Sequence, residues 1–266
     1  MSLYNTVSDV VRKAMIGLGI SPDELARRAG ITSDELSSLF AENYSNTVVA
    51  RLAPILDLDA SALCRLPEYQ PDVSPPDGLI RLSLPFEDEE VNVWLIESEE
   101  TRLIIDTGSG PGDLLSELEK SRPLTSHLLI THGHRDHIGG AASVAPKMAS
   151  IHSPAELTGC KPTAADEQFE IGPFSVRTVD LSGHHPRALG YFINGPSIQL
   201  FAVGDAIFAG SIGGCPNPAA FQLARKTIEA AVSDRDADLL LLPGHGPITR
   251  LGSERKGNPF LAAWNC

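Results

Sequence analysis

The spacing of apolar positions changes once along the chain. Up to residue 66 they recur at helical intervals, and beyond residue 78 they form short runs that stop at polar residues. In the first part, Ser21-Pro22-Asp23-Glu24 reads as a capping box. Ser21 can cap, Pro22 suits the first turn and Glu24 can reach back. Thr32 to Glu35 repeats the device, and Gly30 between the two suits a left-handed helix stop. Leu25, Ala26, Ala29, Ile31, Leu36, Leu39 and Phe40 can then share one apolar face. A helix over Val48 to Leu56 and a short one near Leu63 complete a small all-α unit, residues 1–66. The stretch PEYQPDVSPPDG that follows holds four prolines and two aspartates. Prolines stiffen a chain and remove backbone donors, so residues 67–77 read as a linker.

From residue 78 to 266 the runs read as strands: GLIRLSLPF, VNVWLIES, RLIIDTG, SHLLITH, FSVRTVDLSG, ALGYFING, IQLFAVGD and DLLLLPGH. Helices come between some of them. One is expected over Asp113 to Ser121. Another starts at Asn217-Pro218 and carries Phe221, Ala224, Ile228 and Val232 on one face. Strands mixed with helices predict a layered α/β (α+β) domain.

Composition narrows the classes. The formal charge of −13 repels phosphate polyanions at long range. No apolar run approaches the roughly 20 residues of a membrane helix, so a membrane is not an expected partner. No signal peptide is visible at the start, which makes the cytoplasm the default location. Cys64, Cys160, Cys215 and Cys266 are scattered and form no CxxC, which speaks against a cysteine zinc site.

Chemistry concentrates in THGHRDHIGG, Thr131 to Gly140. Three of the eight histidines and an aspartate fall there: His132, His134, Asp136 and His137. His132 and His134 alternate after an apolar strand, so both rings can face one side. Neutral imidazole and carboxylate are ligands that zinc, iron and manganese accept. Other polar residues also end apolar strands: Asp106, His184, Asp205 and His245. Strands that end together form a rim, and these side chains supply enough ligands for two ions.

The order HxHxDH, GH, GD and PGHGP resembles the metallo-β-lactamase fold superfamily over roughly residues 78 to 266. Within it the chain is similar to short glyoxalase II-like hydrolases. The shared features are GDAIFAGSIG from Gly204, then Gly244-His245-Gly246-Pro247, Gly252-Ser253-Glu254-Arg255 and Asn258-Pro259-Phe260. The resemblance implies a four-layer αββα sandwich with two divalent metal ions on one edge. Zinc is expected, and iron or manganese would also suit. One ion would take His132, His134 and His184, and the other Asp136, His137 and His245, with Asp205 bridging. Asp106 would orient ligands without being one. β-Lactamases of this fold usually place a cysteine where Asp205 stands, so β-lactam hydrolysis is not expected. Two departures matter. SGHHPRA replaces PGHTPGS, which leaves His185 as a competitor of His184. Gly214-Cys215 stands where an arginine would meet a substrate carboxylate. A counterpart of the C-terminal glutathione-binding helical domain of long forms is not expected.

The expected activity is hydrolysis of a small acyl substrate, a thioester first. Two ions lower the pKa of a shared water from about 16 to about 7, and the resulting metal-bound hydroxide attacks an acyl carbonyl. Asp136 is the candidate to position that water or accept its proton. Arg255 and Cys215 are candidates for substrate contact, with an end-cap role for Arg255 and an apolar filler role for Cys215 as the plainer readings. His127 and His152 read as structural. One alternative is a persulfide dioxygenase of the same fold with a single iron. Another is a DNA-binding regulator, because residues 15–63 resemble a helix-turn-helix module of phage-repressor type. Its recognition helix, TSDELSSLF, carries acids and no Arg or Lys, so DNA is not the expected partner. Packing or a homodimer through this module is expected instead.

Overall fold

A computed structural model of the chain describes residues 3–110, 112–157 and 160–264. Helix α1 (Val7–Leu18) opens on a capping box between Thr6 and Asp9 and closes at Gly19, which is left-handed. Helix α2 (Pro22–Ala29) is capped by Ser21, but Glu24 does not complete the expected box. Its carboxylate lies 3.5 Å from Arg28, four residues on, where a cation offers more than a neutral amide. Helix α3 (Ser33–Phe40) has the full box, with Thr32 and Glu35 as partners. Helix α4 (Asn46–Leu52) tightens into a 3-10 turn over Ala53–Leu56, because Pro54 cannot donate to the α ladder. Helix α5 (Ala60–Arg65) follows, capped by Asp59.

The first sheet runs in chain order through β1 (Leu79–Phe86), β2 (Glu89–Ser98), β3 (Thr101–Ile105), β4 (Thr125–Leu129), β5 (Met148–Ser153) and β6 (Lys161–Pro162). Pairing is antiparallel up to β3 and parallel from there. Parallel pairs need crossovers: α6 (Asp113–Lys120) precedes β4, and α7 (Arg135–Ile138) and α8 (Ala141–Val144) precede β5. The second sheet is built from β7 (Gln168–Ile171), β8 (Phe174–Asp180), β9 (Leu189–Asn194) and β10 (Gln199–Gly204). A hairpin of β11 (Ile207–Phe208) and β12 (Ser211–Ile212) follows, then α9 (Pro218–Val232), β13 (Leu240–Pro243) and β14 (Thr249–Arg250). Its order is β14-β13-β10-β9-β8-β7. Helices α10 (Leu251–Gly257) and α11 (Pro259–Trp264) end the described chain.

Strand alternation sets the layers. In β2, Trp94 and Ile96 face inward, where they meet Tyr191, Ile193 and Leu242 of the second sheet. Val91, Val93 and Leu95 face outward and pack with Leu114 of α6 and Val144 of α8. On the far side, Phe201, Val203 and Leu241 pack against Phe221 and Ile228 of α9 and Phe260 and Trp264 of α11. The result is the expected α/β four-layer αββα sandwich. The N-terminal helices share that outer core: Val10, Val11 and Ala14 of α1 and Leu52, Leu56 and Leu63 belong to the same cluster as Phe221 and Trp264. Among the described residues no helix is long and apolar enough to cross a membrane.

Candidate metal centre

The ends of β4, β10 and β13 and the turn after β8 converge on one edge of the sandwich. There, two groups of four possible ligand atoms form: His132, His134, His184 and Asp205, and Asp136, His137, Asp205 and His245. Within each group the atoms lie within 4.8 Å of one another, and Asp205 belongs to both. His134 Nδ1 stands 3.0 Å from His132 Nε2 and 3.0 Å from His184 Nε2. His137 Nε2 is 3.4 Å from Asp136 Oδ2 and 3.3 Å from Asp205 Oδ1, and His245 Nε2 is 3.2 Å from Asp136 Oδ2. Four donors around a tetrahedral ion at 2.0–2.1 Å stand about 3.3 Å apart. The separations of 3.0–3.4 Å within the two groups lie close to that value, so these residues fit a pair of divalent ions.

Hydrogen bonds at the rear of the rings aim them. His184 Nδ1 faces the Gly214 carbonyl at 2.6 Å, and His245 Nδ1 faces the Glu90 carbonyl at 2.7 Å. A carbonyl only accepts, so each Nδ1 carries a proton. Asp106 Oδ2 fixes His137 in the same way at 2.7 Å. Thr131 gives its one hydroxyl proton to Asp106 at 2.8 Å, so its oxygen accepts from His132 Nδ1 at 3.0 Å. When these rings are neutral, all four turn an Nε2 lone pair toward the centre. Asp106 holds this arrangement in a left-handed backbone conformation, φ +63°, and also accepts from Thr131 N–H at 2.8 Å. It is therefore placed as expected, behind the ligands. His137 Nε2 and Asp205 Oδ1 are buried without a hydrogen-bond partner, which is the signature of atoms meant for something else. Gly244 permits this crowding, since a Cβ there would stand 2.2 Å from Asp205 Oδ1.

The electrostatics of the two groups differ. Burial pushes His132 and His184 down, so both favour the neutral form. Burial also opposes charge on His137, but Asp205 and Asp106 outweigh it and hold the ring well above its ordinary range. His245 is raised to about 9 against burial by Asp136 and Asp205. In return, the imidazoles of His137 and His245 hold Asp136 and Asp205 below the usual carboxylate range despite burial. Protons on the two Nε2 atoms thus occupy the place of a cation, and a metal would displace them.

Other candidates fall away from the centre. His185 packs against Gly133 and His134 but joins neither group, whereas His184 stands in the first. Arg255 does not contact the centre, contrary to the expectation of a substrate role. Its guanidinium donates to the Val232 and Ser233 carbonyls, the unsatisfied end of α9, at 2.7 and 3.3 Å. Cys215 matches its plainer reading as an apolar filler. It is buried in the apolar core, and burial pushes its thiol up to about 11. Cys266 lies outside the described residues. His127 pairs with Ser150 and His152 stacks on Phe169, both in structural roles. Thr131 was not foreseen, although a hydroxyl directly before a ligand histidine is a readable signal. Tyr4 was not foreseen either. Its ring stacks on His245, centroids 4.4 Å apart and 12° from parallel.

The model of the Metallo-beta-lactamase superfamily matches residues 87–147, which include His132, His134, Asp136 and His137. The chain has the metallo-β-lactamase fold. A "Probable metallo-hydrolase YqgX" of Bacillus subtilis is 29% identical to it, over 65% of this chain and 92% of the relative. "Hydroxyacylglutathione hydrolase GloC" of Haemophilus influenzae is 25% identical, over 64% of this chain and 90% of its own. Among solved structures, TTHA1623 in a di-iron-bound form superposes with a TM-score of 0.53 at 25% identity, over 68% of this chain and 100% of that one. ETHE1 from Myxococcus xanthus superposes at 0.55 and 18% identity, over 69% and 84%. Relatives of this metallo-β-lactamase-fold chain thus include proteins named as hydrolases.

Proposed function

We propose that this chain is a metal-dependent hydrolase of a small acyl substrate, with a thioester as the first candidate and two zinc ions as the first metal choice. The observation that carries the reading is Asp205. Its Oδ1 stands 3.3 Å from His137 Nε2 and its Oδ2 stands 3.5 Å from His184 Nε2, so one carboxylate faces both groups. Bound ions would supply Lewis acidity and a hydroxide nucleophile near neutral pH. The chain's own residues do the rest. His132, His134 and His184 hold one position and Asp136, His137 and His245 the other, with rings pre-aimed by Thr131, Asp106 and two backbone carbonyls. Asp136, held ionised, would take the proton of the attacking water. No serine or cysteine nucleophile is needed, and the buried Cys215 supplies none. The relatives named as hydroxyacylglutathione hydrolases favour a thioester. The exposed face of α3 carries Asp34 and Glu35 and no cation, so DNA has no part in this reading.

The test combines metal analysis with a panel of thioesters, esters and lactones. Two ions per chain and thioester cleavage that His132→Ala abolishes are expected. Equal cleavage by wild type and variant would sink the reading. One iron per chain with oxygen consumed on a persulfide would replace hydrolysis by oxidation.

A further inference from the structure

The residues ahead of α1, and α1 itself, lie against the centre. Tyr4, besides stacking on His245, meets Phe208 edge-on at 5.1 Å and donates to Glu89 at 2.6 Å. The close seat of α1 is built in: a Cβ on Gly17 would stand 2.3 Å from the Phe221 ring of α9. Between this helix and the ligand edge lies a cavity of about 300 Å³. Its lining joins Tyr4, Arg12 and Lys13 of the N-terminal segment with His184, Asp205 and Phe208. Ile16, 54% exposed, adds an apolar rim.

The charges in this cavity are unevenly engaged. The Asp9 carboxylate, which also lines it, is held by the backbone and hydroxyl of Thr6, and that of Glu89 by Tyr4. Lys13 Nζ donates to two neutral oxygens, Asn5 Oδ1 and the Ile212 carbonyl, each at 2.7 Å. An ammonium has three donors, and beyond these two bonds Nζ meets the face of the Phe208 ring, 5.0 Å from its centroid. Arg12 reaches Ser8 and lies over the Phe40 ring, again without an acid. Among the described residues no carboxylate comes within 4.0 Å of either cation. Burial lowers Lys13 to about 8, with Asp205 opposing, so it remains charged at neutral pH. The cavity therefore offers a cation without a counter-ion beside an apolar wall, one step from the ligands.

We propose that the N-terminal segment is a wall of the substrate pocket, where Lys13, with Arg12 at the rim, binds a carboxylate carried by the acyl substrate. The cation absent at Gly214-Cys215 is supplied from the other end of the chain. This rests on the hydrolase reading for the word substrate, and the binding itself is testable without turnover.

The probes are two non-hydrolysable thioethers, S-benzylthioglycolate and the neutral S-benzyl-2-mercaptoethanol, titrated calorimetrically into protein of equal metal content. The anionic thioether is expected to bind wild type and to lose at least about tenfold in affinity with Lys13→Met, with Lys13→Arg retaining most of it. Arg12→Ala, on the exposed rim, is expected to lose about threefold and serves if Lys13→Met folds poorly. The neutral thioether should not distinguish wild type from variants. Equal affinity of wild type and both variants for the anion overturns the proposal. So does an equal loss for both thioethers, or no binding of the anion to wild type. The benzoyl thioesters of the same two thiols separate the two readings. Lys13-dependent binding without cleavage keeps the pocket and ends the hydrolase. Cleavage that ignores Lys13 does the reverse.

Discussion

At the metal centre, His137 Nε2 and Asp205 Oδ1 are buried with no hydrogen-bond partner. Around Glu254, also fully buried, the opposite holds. Tyr69 and Thr249 donate to one carboxylate oxygen, and Gly210 N–H and Asn258 to the other. Asn258 goes on to donate to the Ser211 carbonyl and to accept from Phe260 N–H. Burial raises the pKa of Glu254, and its four donors limit the rise. One cluster is saturated with hydrogen bonds, and in the other His137 Nε2 and Asp205 Oδ1 face each other at 3.3 Å without forming one. A saturated buried network holds elements together; here it ties the linker, the β11–β12 hairpin and α10. A network with unspent donors and acceptors of matched geometry waits for a ligand.

The contrast predicts opposite outcomes for removing each carboxylate. Asp205→Ala should cost both ions and at least about 100-fold in activity, while in chelator the loss of its ion pairs with His137 and His245 should lower the unfolding temperature less than the loss of Glu254 does. An equal fall in unfolding temperature for both variants would end the distinction. Glu254→Ala should do the reverse: about 3 kcal/mol of stability is lost, because several buried donors lose their acceptor, and Tm falls by about 6–12 °C. The metal content of the folded fraction should hold. Asp106→Asn sits between the two. It leaves the ligands in place but loosens His137, so metal affinity should drop about 10- to 100-fold, read by competition with a chelating dye.

The smallest effect concerns pH. His137 and His245 have folded-state pKa values above the ordinary histidine value of 6.5. For such groups the stabilisation is complete below about pH 6.5 and is lost as pH climbs through the raised value, about 9 for His245. Chelated protein should therefore unfold at lower temperature as pH goes from 6.5 to 9. Affinity for a divalent ion should rise over the same range, because metal and protons compete. His245→Gln should flatten the first curve, and Glu254→Ala should leave its slope alone.

Much of the centre was legible because it obeys a local rule: apolar runs such as IQLFAVGD and LLLLPGH end on their ligand. Periodicity marks the run, and the polar residue marks the edge. The strand MASIHS, β5, escaped because its half-polar composition hides the alternation, and β7 is too short to show one. Arg255 misled because sequence shows a cation near a motif and not the direction of its side chain. The seat of α1 was invisible for a different reason. Nothing near Tyr4 or Lys13 marks them as neighbours of His245 and Asp205. That neighbourhood is fixed by Gly17 fitting Phe221, a match between residues some two hundred positions apart.

The hydroxyl of Tyr69, bonded to Glu254 at 2.5 Å, sits in the middle of the proline-rich stretch. A protease that cut between Tyr69 and Gly78 would therefore not liberate the leading helices. The nicked protein should migrate as one particle in gel filtration and come apart only in denaturant. Tyr69→Phe, by removing one clasp, should shorten the time the two fragments stay together.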